Sequence, residues 1–166
     1  KYIFVNTYVI VRNSITYISI YFQMIELGYA IIDIKSEISA IDPIINNFEN
    51  EIIFLQQKYY DAFVKGDMNA TQRALEHKKA VSNLKKEYVD ERLKLILKRC
   101  ELEDIANIKL FELKGEMAKV NIDLLNAFRS ELGLKSVKFN EAEHNKVINE
   151  WRDKLKDLIK LSKEAL

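Results

Sequence analysis

From Tyr17 to Ala62, alternating steps of three and four residues land on an apolar side chain every time: Tyr17, Ile20, Met24, Leu27, Ile31, Ile34, Ile38, Ile41, Ile45, Phe48, Ile52, Leu55, Tyr59 and Ala62. Two apolar residues in seven, sustained over about six heptads, draw the seam of a left-handed coiled coil or a long helical bundle. The rest of the composition agrees. The 166 residues include only four glycines, one proline and one cysteine, too few turn formers for an all-β sandwich, a glycine-loop nucleotide fold or a disulfide scaffold. With 48% apolar and 31% charged residues the chain is too rich in core formers for disorder. A formal net charge of +1 gives no general argument for nucleic acid.

Interruptions fall at Arg12-Asn13-Ser14, Asp42-Pro43, Lys65 through Asn69, and Gly133 through Phe139. They divide one helical domain, 1–166, into an apolar N-terminal segment 1–14, a first arm 15–65, a return arm 69–133 and a C-terminal helix 140–166. Residues 2–11 are rich in β-branched and aromatic types and suit either a strand or an apolar helix. Asp42 can cap a new helix begun by Pro43, or Pro43 can kink a continuing one, so a bend is expected there. Gly66 suits the left-handed residue after a helix end, and Asp67 or Asn69 can cap the next helix. The return arm has no proline, and its apolar row is read as Val81, Leu84, Tyr88, Leu95, Leu102, Ala106, Leu110, Leu113, Met117, Val120, Leu124 and Phe128, with breaks conceivable at Asn107 or Gly115. Asn140 followed three residues later by Glu143 opens the last helix, which carries Val147, Ile148, Trp151, Leu155, Leu158, Ile159 and Leu161 on one face.

A short reversal between two long amphipathic helices makes an elongated antiparallel hairpin, with the third helix packing at its open end. Charge supports the pairing. Lys35 to Asp67 holds three basic and six acidic residues, and His77 to Arg99 holds eight basic and three acidic. Reflecting the chain about Asp67 sets Glu49 opposite Lys85 and Asp42 opposite Arg92, but also Lys35 opposite Arg99, a like-charge pair.

One stretch is over-supplied with apolar residues. Between Tyr17 and Ile32 a second face, Ile18, Phe22, Ile25, Tyr29 and Ile32, needs a cover, which the C-terminal helix, a second copy of the chain or a bilayer would each provide. Tyr2 to Phe22 resembles a membrane segment in composition, although a central Arg12 costs roughly 2.5 to 3.5 kcal/mol in hydrocarbon.

Chemistry-bearing motifs are sparse. Glu141-x-x-His144 is half of a carboxylate-bundle metal element, and His77 has Ala74 rather than a carboxylate three residues before it. Cys100 has no neighbouring cysteine or histidine and reads as a small apolar residue; one unpaired cysteine suits a reducing, cytoplasmic setting. Lys78, Lys85, Arg92 and Arg99 recur every seven residues as a basic stripe, which suits either a phosphate backbone or the acidic first arm. Tyr59, Tyr60 and Phe63 stand beside the turn, either as an exposed aromatic tip or as a cap on the hairpin core. These seven residues are the candidate interaction surface. No cofactor, metal or catalytic set is expected. The sequence therefore points to a non-enzymatic structural or interaction module that binds a protein partner or itself; a membrane-associated helical stalk, sensor or pore or secretion component that contacts the bilayer through residues 2–22 is the alternative.

Overall fold

The structure is a computed structural model that describes the backbone of residues 2–164 and the side chains of residues 14–161, 163 and 164. Lys1, the side chains of the first turns and the last two positions of the expected C-terminal helix lie outside the described residues. Three helices follow one another, α1 (Tyr2–Val64), α2 (Met68–Glu131) and α3 (Glu141–Glu164), with no strand among the described residues. The expected all-α hairpin with a third helix is the fold observed, and several expected interruptions are bridged. Residues 2–11 are helix rather than strand, and α1 runs through Arg12-Asn13-Ser14. Asn and Ser each cost only about a few tenths of a kcal/mol in a helix, too little to end one by themselves. Likewise α2 runs unbroken through Asn107 and Gly115.

Contacts divide the chain into two units, Ile32–Arg99 and the pair of segments Lys1–Ile31 and Cys100–Leu166. In the first of these, α1 and α2 meet along the seam. Ile34, Ile38 and Leu55 are buried from α1 and Val81 from α2. Buried Thr71 satisfies its hydroxyl by donating to the Asp67 carbonyl at 2.7 Å. Phe48 and Tyr88 close the middle, their rings 5.5 Å apart. The turn is built as the sequence suggests. Gly66 takes φ of 73°, Asp67 N–H donates to the Ala62 carbonyl and Gly66 N–H to that of Phe63, the two bonds of a Schellman ending. Asp67 Oδ1 then accepts from the Ala70 N–H at 2.9 Å and caps α2, leaving Asn69 inside the helix.

The other unit contains three helical segments. Ile20 from α1, Ile108 from α2 and Ile148 from α3 are its buried residues. Trp151 of α3 lies against Phe111, ring centroids 5.6 Å apart. Gly115 acquires a reason here: a Cβ at that position would stand 2.1 Å from His144 Nε2, so the imidazole rests directly on the α2 backbone. The connection to α3 is held back onto α2. After a second Schellman ending at Gly133 (φ 68°), Asn126 both donates to the Val137 carbonyl and accepts from its N–H at 2.7 Å, and Arg129 Nε donates to the Lys135 carbonyl at 2.7 Å. Asn140 Oδ1 accepts from the Glu143 N–H and its amide donates to the Glu143 carboxylate, which starts α3.

Pro43 sits within α1 rather than at the start of a new helix. It is exposed, and the seam residues around it, Ile38, Ile41 and Ile45, hold the helix across it against the cost of the missing hydrogen bond. Asp42, no longer a cap, is free to pair with Arg92. Pro43→Ala should therefore stabilise the protein by about 2 kcal/mol, the ~3 kcal/mol interior cost of proline less the ~0.4–1 kcal/mol of chain entropy it removes when unfolded. Urea unfolding followed by helicity measures this; an unchanged or lower midpoint would contradict it.

Candidate interaction surfaces

The basic stripe faces inward. Lys78, Lys85, Arg92 and Arg99 are all half-buried, on the same row of α2 as buried Thr71 and Val81. Lys85 Nζ lies 2.9 Å from Glu49 Oε1 and Arg92 Nε 2.6 Å from Asp42 Oδ1, the two favourable pairs given by reflection about Asp67. Lys78 donates to Gln56 Oε1, which obeys the same reflection. The aliphatic stems line the α1–α2 interface while the charged heads reach the acids at its edge. His77, exposed, lies 3.4 Å from Glu51. Lys78, Lys85 and Arg92 are thus occupied within the hairpin.

The aromatic cluster divides at the turn. Tyr59, a seam residue, is half-buried and stacks on Phe63 at 6.3 Å with rings 11° apart. Tyr60 is 62% exposed and Phe63 57%. Val64 and Met68 are exposed beside them, as are Ile53 and Phe54 on α1, the last with Lys58 Nζ 4.6 Å above its ring. The periodicity of the seam does not reveal these four, which lie off it. Ile53 adjoins Ile52 and cannot share its inward direction, which is the signal that would have found it. Between the helices next to the turn, Ala62, Ala70 and Ala74 leave an open groove of about 440 Å³ rimmed by Lys58, Asp61, Lys65 and Arg73. Charges of both signs line it.

In the three-helix unit, α3 is seated by polar contacts as well as by Trp151. Arg152 donates to Glu112, whose other oxygen receives Lys109 Nζ at 3.1 Å. Lys119 Nζ stands 3.2 Å from Glu141 and 3.3 Å from Glu116. Burial alone would lower the Lys119 pKa, but the bonds to Glu141 and Glu116 outweigh it and hold it above the ordinary 10.5. His144, the metal candidate, packs on Gly115 with the Phe139 ring 5.4 Å away. Among the described residues no three His, Cys, Asp or Glu side chains are grouped to hold a metal ion. Cys100 is half-buried in α2.

Helix α3 does not cover the second face of α1. Its contacts lie beside Ile20, Glu112 and Glu116, while Ile18, Phe22, Ile25 and Tyr29 are 50, 60, 38 and 67% exposed, and Ile15 63%. In the return arm, Leu84, Leu110, Met117, Leu124 and Phe128, expected on the inner row, are exposed. Leu113 and Val120 of the expected row are half-buried, and so are Lys109, Glu116 and Asp123 beside them.

Comparison of the chain with protein-family models, with curated proteins and with solved structures yields no match.

Two outcomes check this geometry. A double-mutant cycle on Glu49→Ala and Lys85→Ala should give a favourable coupling of about 0.2 to 1 kcal/mol that shrinks with salt, as befits a partly exposed pair; zero coupling at low salt would reject the register. Because the folded-state pKa of Lys119 is raised, its contribution is complete below pH 10.5 and is lost as the pH climbs through the folded value. Fluorescence of Trp151, the chain's one tryptophan, should show an alkaline step in α3 seating only above that pH, and Lys119→Met should abolish it.

Proposed function

We propose that this protein is a non-enzymatic interaction module that presents helical surfaces to other proteins, with the turn of the hairpin as one binding point. The observation that carries this reading is the display of large apolar side chains outside helices whose inward rows are already filled. Around the turn, Tyr60, Phe63, Val64 and Met68 are each more than half exposed beside a fully formed Schellman and Asp67 cap. A rigid turn holding aromatic anchors loses little entropy on binding, which is the character of an interface hot spot. The ionisable residues support the same reading, since the closely placed ones, Lys85 with Glu49, Arg92 with Asp42 and Arg152 with Glu112, pair with one another across helices. The groove beside the turn is open rather than enclosing.

A membrane-associated helical module is the second reading. By length and composition, α1 from Ser14 onward is sufficient to cross a bilayer, and little of its most apolar stretch is buried.

The test is affinity capture with the wild-type chain and with Tyr60→Ala/Phe63→Ala. The exposed sites predict unfolding free energies within about 0.5 kcal/mol of one another. A protein retained by the wild type and lost by the variant supports the turn as a binding point, whereas identical captured sets would remove it.

A further inference from the structure

We propose that the uncovered face of α1 between Ile15 and Tyr29, together with the adjoining side of α2, is a dimer interface that takes a second copy of this chain; this rests on the interaction-module reading and names one partner. Spacing is the first argument. Ile15, Ile18, Phe22, Ile25 and Tyr29 follow steps of three, four, three and four, a second a/d row on a helix whose first row already meets α2. In the sequence the same steps run backwards through Val11, Tyr8 and Phe4. Such a row accommodates the knobs of another helix, whereas a helix surrounded by lipid needs no row at all. It also has a polar edge, Ser19, Gln23 and Glu26, all exposed, which limits it to a stripe.

The stripe continues onto α2. Tyr17 and Ile18 border an open groove of about 380 Å³ whose opposite wall is Met117, Val120 and Asn121. Leu110 and Leu124, seven residues before and after Met117, share its side of α2 and are 37 and 52% exposed. The surface therefore carries both projecting side chains and a groove. Two copies related by a two-fold axis can each place the ridge of α1 over the groove of the other, the self-complementarity an isologous interface requires. The outcome is a four-helix core in which the layer now one side chain deep becomes enclosed on both sides.

Area and charge point the same way. With Tyr21, Met117 and Leu124 added, the exposed fractions correspond to roughly 800 Å², taking ~150–250 Å² for a large apolar residue. That exceeds the ~300–600 Å² largest patch of an ordinary monomer and is of the order of the ~800 Å² that each partner contributes to a standard interface. A net charge of +1 on the chain means that two copies meet almost without mutual repulsion.

The experiment is sedimentation and light scattering of the full chain in detergent-free buffer at micromolar concentration, with neutral phosphatidylcholine vesicles in a parallel flotation arm. The wild type should show twice the 19.5 kDa chain mass and stay with the buffer. Ile18→Glu/Phe22→Glu, and separately Met117→Glu, should halve the mass while helicity by circular dichroism is kept, and Gln23→Glu on the polar edge should leave the dimer intact. A monomeric wild type, a dimer that survives both sets of substitutions, or flotation abolished by Ile18→Glu/Phe22→Glu would each overturn the proposal. If the substitutions unfold the chain, disulfide trapping decides: Phe22→Cys in a Cys100→Ser background should cross-link with the copy, and failure to do so overturns it. A monomer would leave the turn, with Tyr60 and Phe63, to be judged by its own capture experiment.

Discussion

Everything in this structure depends on one row of apolar side chains on α1. From Tyr17 to Ala62 each of its members is buried or half-buried, yet among the described residues only Ile20, Ile34, Ile38 and Leu55 along it are buried outright. Helix against helix makes a core about one side chain thick, so most residues of the row keep an edge in water. Full burial of an Ile or Leu is worth about 1.5–3 kcal/mol, and half-burial correspondingly less. Stability then comes from the number of contacts along long helices rather than from a deep centre, and that explains why α1 runs through Pro43, since ending the helix there would remove several contacts to relieve one local cost. The charges at the edges have a different role. Lys85 with Glu49 and Arg92 with Asp42 are partly exposed, so they fix which residues face each other more than they hold them together.

The α1 half of this arrangement was legible in the sequence because its inward row is purely apolar and its spacing is unambiguous. The turn was legible as well, since a glycine with positive φ followed by an Asp cap is a local matter. Register followed from charge once Asp67 was taken as the centre. The α2 row is legible only in part, through Val81, Leu95, Leu102, Ala106, Leu113 and Val120, for a physical reason: between them several half-buried positions are Lys, Arg, Glu or Asp, whose stems pack beside the apolar residues. Searching for apolar residues alone chose Leu84, Met117, Leu124 and Phe128, which the structure leaves exposed. Gly115 was opaque because its purpose depends on a residue 29 positions away, His144, arriving against its backbone. No local pattern announces such an approach.

The candidate surface was legible in part. Tyr60 and Phe63 lie outside the seam and are exposed, whereas Tyr59 belongs to it and is half-buried, as periodicity implies. The basic stripe required the partner helix to interpret. A seven-residue repeat of Lys and Arg reads equally as an outward band or as the flank of an inward row, and only the positions of Glu49 and Asp42 across from it decide between them. The uncovered stretch from Ile15 to Tyr29 was visible as a surplus, but not what α3 would do about it. That helix takes the side offering Glu112, Lys119 and Gly115, where its own Arg152 and Glu141 find charge partners and His144 finds room.

The pair of hydrogen bonds between Asn126 and Val137, with that from Arg129 to Lys135, has a mechanical consequence for α3. Because the connecting segment is stapled to α2 up to Val137, any rocking of α3 must pivot at Lys138 to Asn140 rather than at the end of α2. A connection that short would hold α3 at high local concentration above its seat whenever its contacts with α2 were broken. The third helix is thus tethered to α2 by its own connection as well as by its packing, rather than trailing as a free tail.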